Sequence, residues 1–257
     1  MRLVGQSEPM PCLGDGHIPD HDEPSFGAVK AFLRYLKPSR IFCTGDMWGA
    51  SDFGKYRDGL DPLMRLRSGE EVGTARELIA DTLFTCGAEV HIAKSNHEDR
   101  LRKDIWRRMP ELWTIEGFRE QASIAELLGY RENGGIYHTE PWYPRPWCKA
   151  FHGEIVRKWA GMSVKAEVVE RAGMVVAMGH THRLCAWPVT QDCGTLWGCE
   201  CGHLGKNPPD YKRGRTQDWQ KGIAVAWLHK KQPSIYFDLC PIDENGVLSW
   251  KGMEFTG

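Results

Sequence analysis

Five times along this chain a short apolar run stops at a loop whose first polar residues are Asp, Asn or His. The loops are Asp15-x-His17, Gly45-Asp46, Asn96-His97-Glu98, His152-Gly153 and Gly179-His180-Thr181-His182. The last is the clearest: residues 174–178 are apolar and partly β-branched, as in a buried strand, and Gly179 then opens onto two histidines in alternate positions. Taken alone, His-x-His is as often solvated as liganding. Five such loops constrain far more, because strands that end on one edge of a sheet deliver all of their loops to one cleft, held by a rigid scaffold.

The rest of the chain supports such a scaffold. At 257 residues, 41% hydrophobic and 26% charged, it is expected to fold as one domain over residues 1–257. Ser25 is the expected N-cap of a helix with Phe26, Val29, Phe32, Leu33 and Leu36 inward, ended by Pro38. Thr74 is expected to cap a second helix that stops at Gly87, and Ser163 a third that stops at Gly173. Residues 41–44 and 90–93 read as strands, 12–22 as a polar loop, 50–72 as a surface excursion, 98–128 as basic helix, and 131–150 show no periodicity. After His182, the runs 184–190, 194–200, 223–228 and 234–239 read as an antiparallel series. The expectation is an α/β domain with a sheet core and helices outside it, in which residues 99–150 are large enough to form a substrate-selecting lid.

Charge and composition exclude some functions. A net charge of -1 gives no global pull toward nucleic acid or membrane. No apolar run has the length of a membrane span, and residues 1–7 do not read as a signal peptide. Nine cysteines, odd in number and scattered, suit reduced thiols in a cytoplasm better than a disulfide framework. Cys193, Cys199, Cys201 and His203 lack zinc-knuckle spacing, and Cys-x-Cys on a strand reads as packing. His21 and Asp22 read as turn residues, and His91 as a core histidine. The basic run 100–108 reads as a solvated helix face, except Arg100, which follows the Asn96-His97 loop and suits a substrate phosphate.

Asp, Asn and His without cysteine suit divalent manganese, iron or zinc in a hydrolytic site, not a structural zinc. Seven such side chains, one carboxylate bridging, suffice for two metals with open positions. Two metals clamp the attacking and leaving oxygens of an in-line displacement at phosphorus.

The ordered set Asp-x-His, Gly-Asp, Asn-His-Glu, His and Gly-His-x-His, over residues 15–182, resembles the calcineurin-like metallophosphoesterases. Gly198-Cys199-Glu200-Cys201, Asn207-Pro208-Pro209-Asp210-Tyr211 and Asp218-Trp219-Gln220-Lys221-Gly222 are similar to small members carried in bacteriophage and prophage genomes. The resemblance implies a four-layer sandwich of two mixed β-sheets flanked by α-helices. It implies that Asp15, His17 and His182 hold one metal and Asn96, His152 and His180 the other, with Asp46 bridging. The metals would be manganese, with iron, zinc or nickel as alternatives. Hydroxide would attack phosphorus and His97 would protonate the leaving alkoxide. Asn96 and Arg100 would meet the substrate, a nucleotide or nucleic-acid phosphodiester; a phosphomonoester, or a non-catalytic protein-binding scaffold on the same fold, is the alternative. Two positions depart from the pattern. Ser95 stands where glycine is usual. Gly49 stands where an acid often orients the catalytic histidine, which leaves Asp52 or Asp99 for that task, or a less well oriented His97.

Overall fold

The computed structural model describes residues 7–53, 68–207, 217–230 and 235–257. Most of the expected 50–72 excursion, Pro208 to Tyr211 of the tail motif, and Ser234 lie outside them.

One sheet has six strands: β1 (Ser7–Leu13), β2 (Arg40–Cys43), β3 (Glu89–Ala93), β4 (Ile136–His138), β10 (Gly222–His229) and β11 (Ile235–Pro241), in the order β11-β10-β1-β2-β3-β4. β1 to β4 run parallel, while β10 and β11 are antiparallel additions. The second sheet has β5 (Trp142–Arg145), β6 (Cys148–Phe151), β7 (Val175–Met178), β8 (Leu184–Gln191) and β9 (Gly194–Cys201), in the order β5-β6-β7-β9-β8. Here β6, β7 and β9 are parallel and the two edges antiparallel. A small hairpin, β12 (Leu248–Trp250) and β13 (Met253–Phe255), completes the strands.

Period-two alternation stacks these layers. On β10, Ile223, Val225 and Trp227 face a core shared with helices α1 (Glu23–Leu36) and α2 (Ser68–Leu83), while Ala224, Ala226 and Leu228 face the second sheet. On β2, Ile41 and Cys43 take the helix side and Phe42 the inter-sheet side. The far face of the second sheet carries Val164 and Val168 of α6 (Met162–Ala166) and the π-helical turn Glu167–Ala172 that continues it. The chain therefore adopts the four-layer α/β sandwich, helices–sheet–sheet–helix.

Several local expectations are corrected. The cap of α1 is Asp22, which accepts from the Ser25 amide, so Ser25 lies inside the first turn. Asp22 wins because it precedes Glu23-Pro24, and proline is tolerated in the first helical turn. α2 begins at Ser68, before Thr74. Residues 98–128 are four short helical pieces: α3 (Asp99–Arg108), a 3-10 turn (Pro110–Thr114), α4 (Glu116–Gln121) and α5 (Ile124–Leu127). Residues 7–13, and 136–138 and 142–145 in the stretch without periodicity, are strands; β1 is buried on both faces and so shows no polar alternation. The late strands form two hairpins in different sheets rather than one series, since β9 pairs with β7 and β10 with β1.

The C-terminal ends of β1, β2, β3, β6 and β7 converge on one edge. The sheets touch there: the exits of β1 and β9 are joined by an Asp15–His203 bridge. The approach is so close that a Cβ on Gly14 would lie 1.9 Å from the Gly202 carbonyl oxygen. Among the described residues no helix is long and apolar enough to cross a membrane.

Candidate metal centre

Each strand end contributes its donors directly. β1 leads to Asp15 and His17, β2 to Asp46, β3 to Asn96 and His97, β6 to His152, and β7 to His180 and His182. Four of these residues, His17, Asp46, His180 and His182, have φ between 50° and 67°. Non-glycine residues in this left-handed region are strained by about 1–3 kcal/mol each, and such strain collects at functional sites. The turn that aims His180 needs Gly179, whose absent Cβ would meet Thr44 Oγ1 at 2.2 Å and Asp15 Oδ1 at 2.6 Å. Ser95 is not among the left-handed residues, so serine is accommodated where the resemblance implied glycine.

Two donor sets result. In the first, His182 Nε2 lies 2.8 Å from His17 Nε2 and 3.0 Å from Asp15 Oδ2. In the second, His152 Nε2 lies 2.7 Å from Asn96 Oδ1, 3.1 Å from His180 Nδ1 and 3.3 Å from Asp46 Oδ2. Metal–ligand bonds of about 2.0–2.2 Å at right angles put neighbouring ligands about 3 Å apart, so both sets have the spacing of ligands around a shared cation. Among the described residues three groups could hold a metal ion: Asp15, His17 and His182; Asp46, His152 and His180; and His17, Asp46 and His97. Asp46 is thus within reach of both sides. His180 and His182, adjacent but one, fall into different sets, while Thr181 between them is buried and accepts from the Arg183 amide.

Hydrogen bonds orient the donors. His152 Nδ1 lies 2.9 Å from the Thr44 carbonyl and donates to it, so Nε2 is the ring nitrogen turned to the donor set. Asp15 accepts from the His180 amide and the Thr44 hydroxyl, and Asp46 Oδ1 from the His97 amide at 2.8 Å. Burial opposes ionisation of Asp15, but His182 and His152 hold its carboxyl well below the usual range. Asp46 is likewise held down, against burial, by His152 and His97. Burial lowers the pKa of both His17 and His180, which favours the neutral form that a ligand needs. His152, buried between Asp46 and Asp15, is pushed up to about 9, so it carries a proton in the place a cation would take. His182 Nδ1 is buried without a hydrogen-bond partner. The donor set, its spacing and its charge all fit divalent cations.

His97 sits against His17, with ring centroids 4.4 Å apart. Its Nδ1 lies 3.0 Å from the Gly49 carbonyl, which takes the place left to Asp52 or Asp99. Asp52 lies in the short turn Ser51–Phe53, and Asp99 is occupied by Arg102, at 2.5 Å, and Lys103, at 3.2 Å. Arg100 reaches back to His97 and Gly49.

Four residues here had no role in the sequence reading. Glu98, fully buried, accepts from the Met47 amide and the Tyr130 hydroxyl, and burial followed by Asp46 raises it to about 7. His203, pushed down to about 3 by burial and His182, stacks on His182 at 5.5 Å. Trp219 packs edge-on to His182 at 4.2 Å. Arg183, next in chain, donates to the carbonyls of Arg157 and Lys158 and anchors the ligand loop. Glu98 and Trp219 lay within quoted motifs, and His203 within the cysteine–histidine set read as lacking zinc-knuckle spacing. Cys193 is exposed while Cys199 and Cys201 are buried, and all nine cysteines are free.

No protein-family model matches the sequence, and no curated protein matches it. Among solved structures the chain is similar to Vps29 of Chaetomium thermophilum, with 13% identity, 98% of this chain and 95% of that one covered, and a TM-score of 0.46. Vacuolar protein sorting 29 of Cryptosporidium parvum gives 13%, 98%, 96% and 0.46. The nuclease MPE of Pseudomonas putida gives 10%, 89%, 86% and 0.39.

Proposed function

We propose that this chain is a single-domain, calcineurin-like metallophosphoesterase of the small bacteriophage type, hydrolysing a phosphodiester in a nucleotide or nucleic acid. The observation that carries this reading is the pair of three-residue donor sets with Asp46 within reach of both and His97 beside it. Asp15, His17 and His182 would hold one divalent ion, Asn96, His152 and His180 the other, and Asp46 would bridge. Bound there, two ions, manganese in the first instance, supply Lewis acidity at the phosphoryl group and acidify the attacking water.

The remaining steps belong to side chains. Arg100 leaves His97 to donate to a non-bridging phosphoryl oxygen. His97, with Nδ1–H held by Gly49, would take a proton from solvent at Nε2 once Arg100 has moved and pass it to the leaving alkoxide oxygen, which departs as the alcohol; such an acid is worth about 10²–10⁴-fold for a poor leaving group. From residues 99–150, Asp99, Lys103 and residues 138–141 line the cleft beside Asn96 and His152, and they would select the substrate. A protein-binding scaffold needs no such acid, and a phosphomonoesterase would use the same donors. The test is metal analysis of protein purified without chelator, followed by hydrolysis of bis-p-nitrophenyl phosphate with added manganese. Two metals per chain and turnover are expected; neither metal nor turnover would leave the scaffold reading.

A further inference from the structure

Beside the second donor set opens a cleft of about 420 Å³, with Asn96 and His152 in its wall. Its other walls come from the exit of β3, the start of α3 and the segment after β4, which a hydrogen bond from the Lys94 amide to the His138 carbonyl holds in place. The volume is at the small end of the range for ligand sites, ~300–1,000 Å³, enough for one nucleotide unit and too small for a duplex.

The charge of the cleft can be apportioned. Asp99, almost fully buried, is matched by the two-point ion pair of Arg102, whose Nε and Nη2 lie 2.5 and 2.7 Å from its oxygens. Glu154, largely exposed, shares Arg171, at 3.2 Å, with the buried Glu167, at 3.4 Å. Neither arginine lines the cleft. The ammonium groups of Lys94 and Lys103, 3.8 and 3.2 Å from the already matched Asp99, are therefore surplus positive charge, aligned by one carboxylate; Glu140 is the remaining acid in the wall. Phe151 and His138 contribute ring surface, and His138 is stacked on Trp142 with centroids 5.6 Å apart.

We propose that this cleft is the subsite for the nucleotide unit on one side of the scissile phosphate, and that Lys94 and Lys103 bind a second phosphate on that unit. The preferred substrate is then a phosphorylated oligonucleotide end or a similar polyphosphorylated nucleotide. This rests on the phosphodiesterase reading of the metal centre. Asp99 acts as a positioning residue for the two lysines.

The test is calorimetric titration of the manganese-loaded protein with adenosine 3′,5′-bisphosphate and, separately, adenosine 5′-monophosphate. The bisphosphate is expected to bind at least about tenfold more tightly, the scale of one charged hydrogen bond. Lys94→Gln and Lys103→Gln should each reduce that preference about tenfold, and Lys103→Arg should keep it, with thermal unfolding showing that all variants are folded. Equal affinity for the two ligands, or glutamine variants within twofold of the wild-type preference, would overturn the proposal. Hydrolysis of bis-p-nitrophenyl phosphate by the same samples separates the two readings. Turnover without a bisphosphate preference sinks the subsite alone; preference without turnover sinks the catalytic reading, and with it the scissile phosphate, and leaves only a bisphosphate-binding cleft.

Discussion

Nη2 of Arg100 lies 2.7 Å from Nε2 of His97, while Nη1 of the same guanidinium and Nδ1 of the imidazole share the Gly49 carbonyl at 2.9 and 3.0 Å. A guanidinium only donates, so Nε2 accepts and the ring is neutral with its proton on Nδ1. The free protein thus holds its candidate acid unprotonated at the atom that must deliver the proton.

Arg100→Ala should raise the pKa of His97. Burial is the first cause of its depression, Asp46 opposes it, and the Arg100 charge adds to it. Removing that charge favours the imidazolium, so the His97 ring should titrate at higher pH than in the wild type when followed by NMR in metal-free protein. An unchanged or lower titration point would show that Arg100 does not set the state of His97.

His97→Ala should spare metal content and slow diesters with alkyl leaving groups by about 10²–10⁴-fold, with a much smaller loss on p-nitrophenyl esters. The measurement is kcat on the two substrate classes together with metal analysis. Equal losses on both would remove the acid role.

Asp46→Asn should lower affinity for both metals. Partners outside the ligand shell already matter by about 10–100-fold in metal sites, and a bridging ligand should cost at least as much. Manganese titration followed by elemental analysis checks this; retention of two tightly held metals would mean that Asp46 is not shared.

Glu98 makes stability depend on pH in the metal-free protein. Its folded pKa of about 7 lies above the ordinary 4.5. Below about 4.5 both states are protonated and there is no difference. As pH rises from about 4.5 to 7 the unfolded chain gives up its proton while the folded one keeps it, so stability falls by roughly 3 kcal/mol, and the deficit is complete above 7. Glu98→Gln should flatten this window in urea unfolding measured from pH 4.5 to 8, since a glutamine oxygen can still accept from Met47 and Tyr130. The same slope in the variant would place its origin elsewhere.

Gly179→Ala should cost about 1–3 kcal/mol and weaken the first donor set, because the added methyl meets Asp15 and Thr44 inside van der Waals contact. Thermal unfolding and metal titration read the two effects separately. A variant with wild-type unfolding and metal affinity would show that the turn relaxes freely.

The parts of the fold and site that were legible in the sequence are those set by local chemistry. Apolar runs 41–44, 90–93 and 174–178 end in Asp, Asn or His because a strand and the loop after it are neighbours in sequence, and residue type alone says which donors a cation could use. Where local signals competed, the sequence misled: Asp22 displaced Ser25 as a cap, and β1 hid because it is buried on both faces. Tertiary structure decided what depends on distant pairing. It placed β10 beside β1 and β9 beside β7, and gave His97 the Gly49 carbonyl and Arg100 as partners. Strand order, ring-nitrogen orientation and a backbone carbonyl have no residue code of their own; they exist only once segments far apart in the chain are packed together.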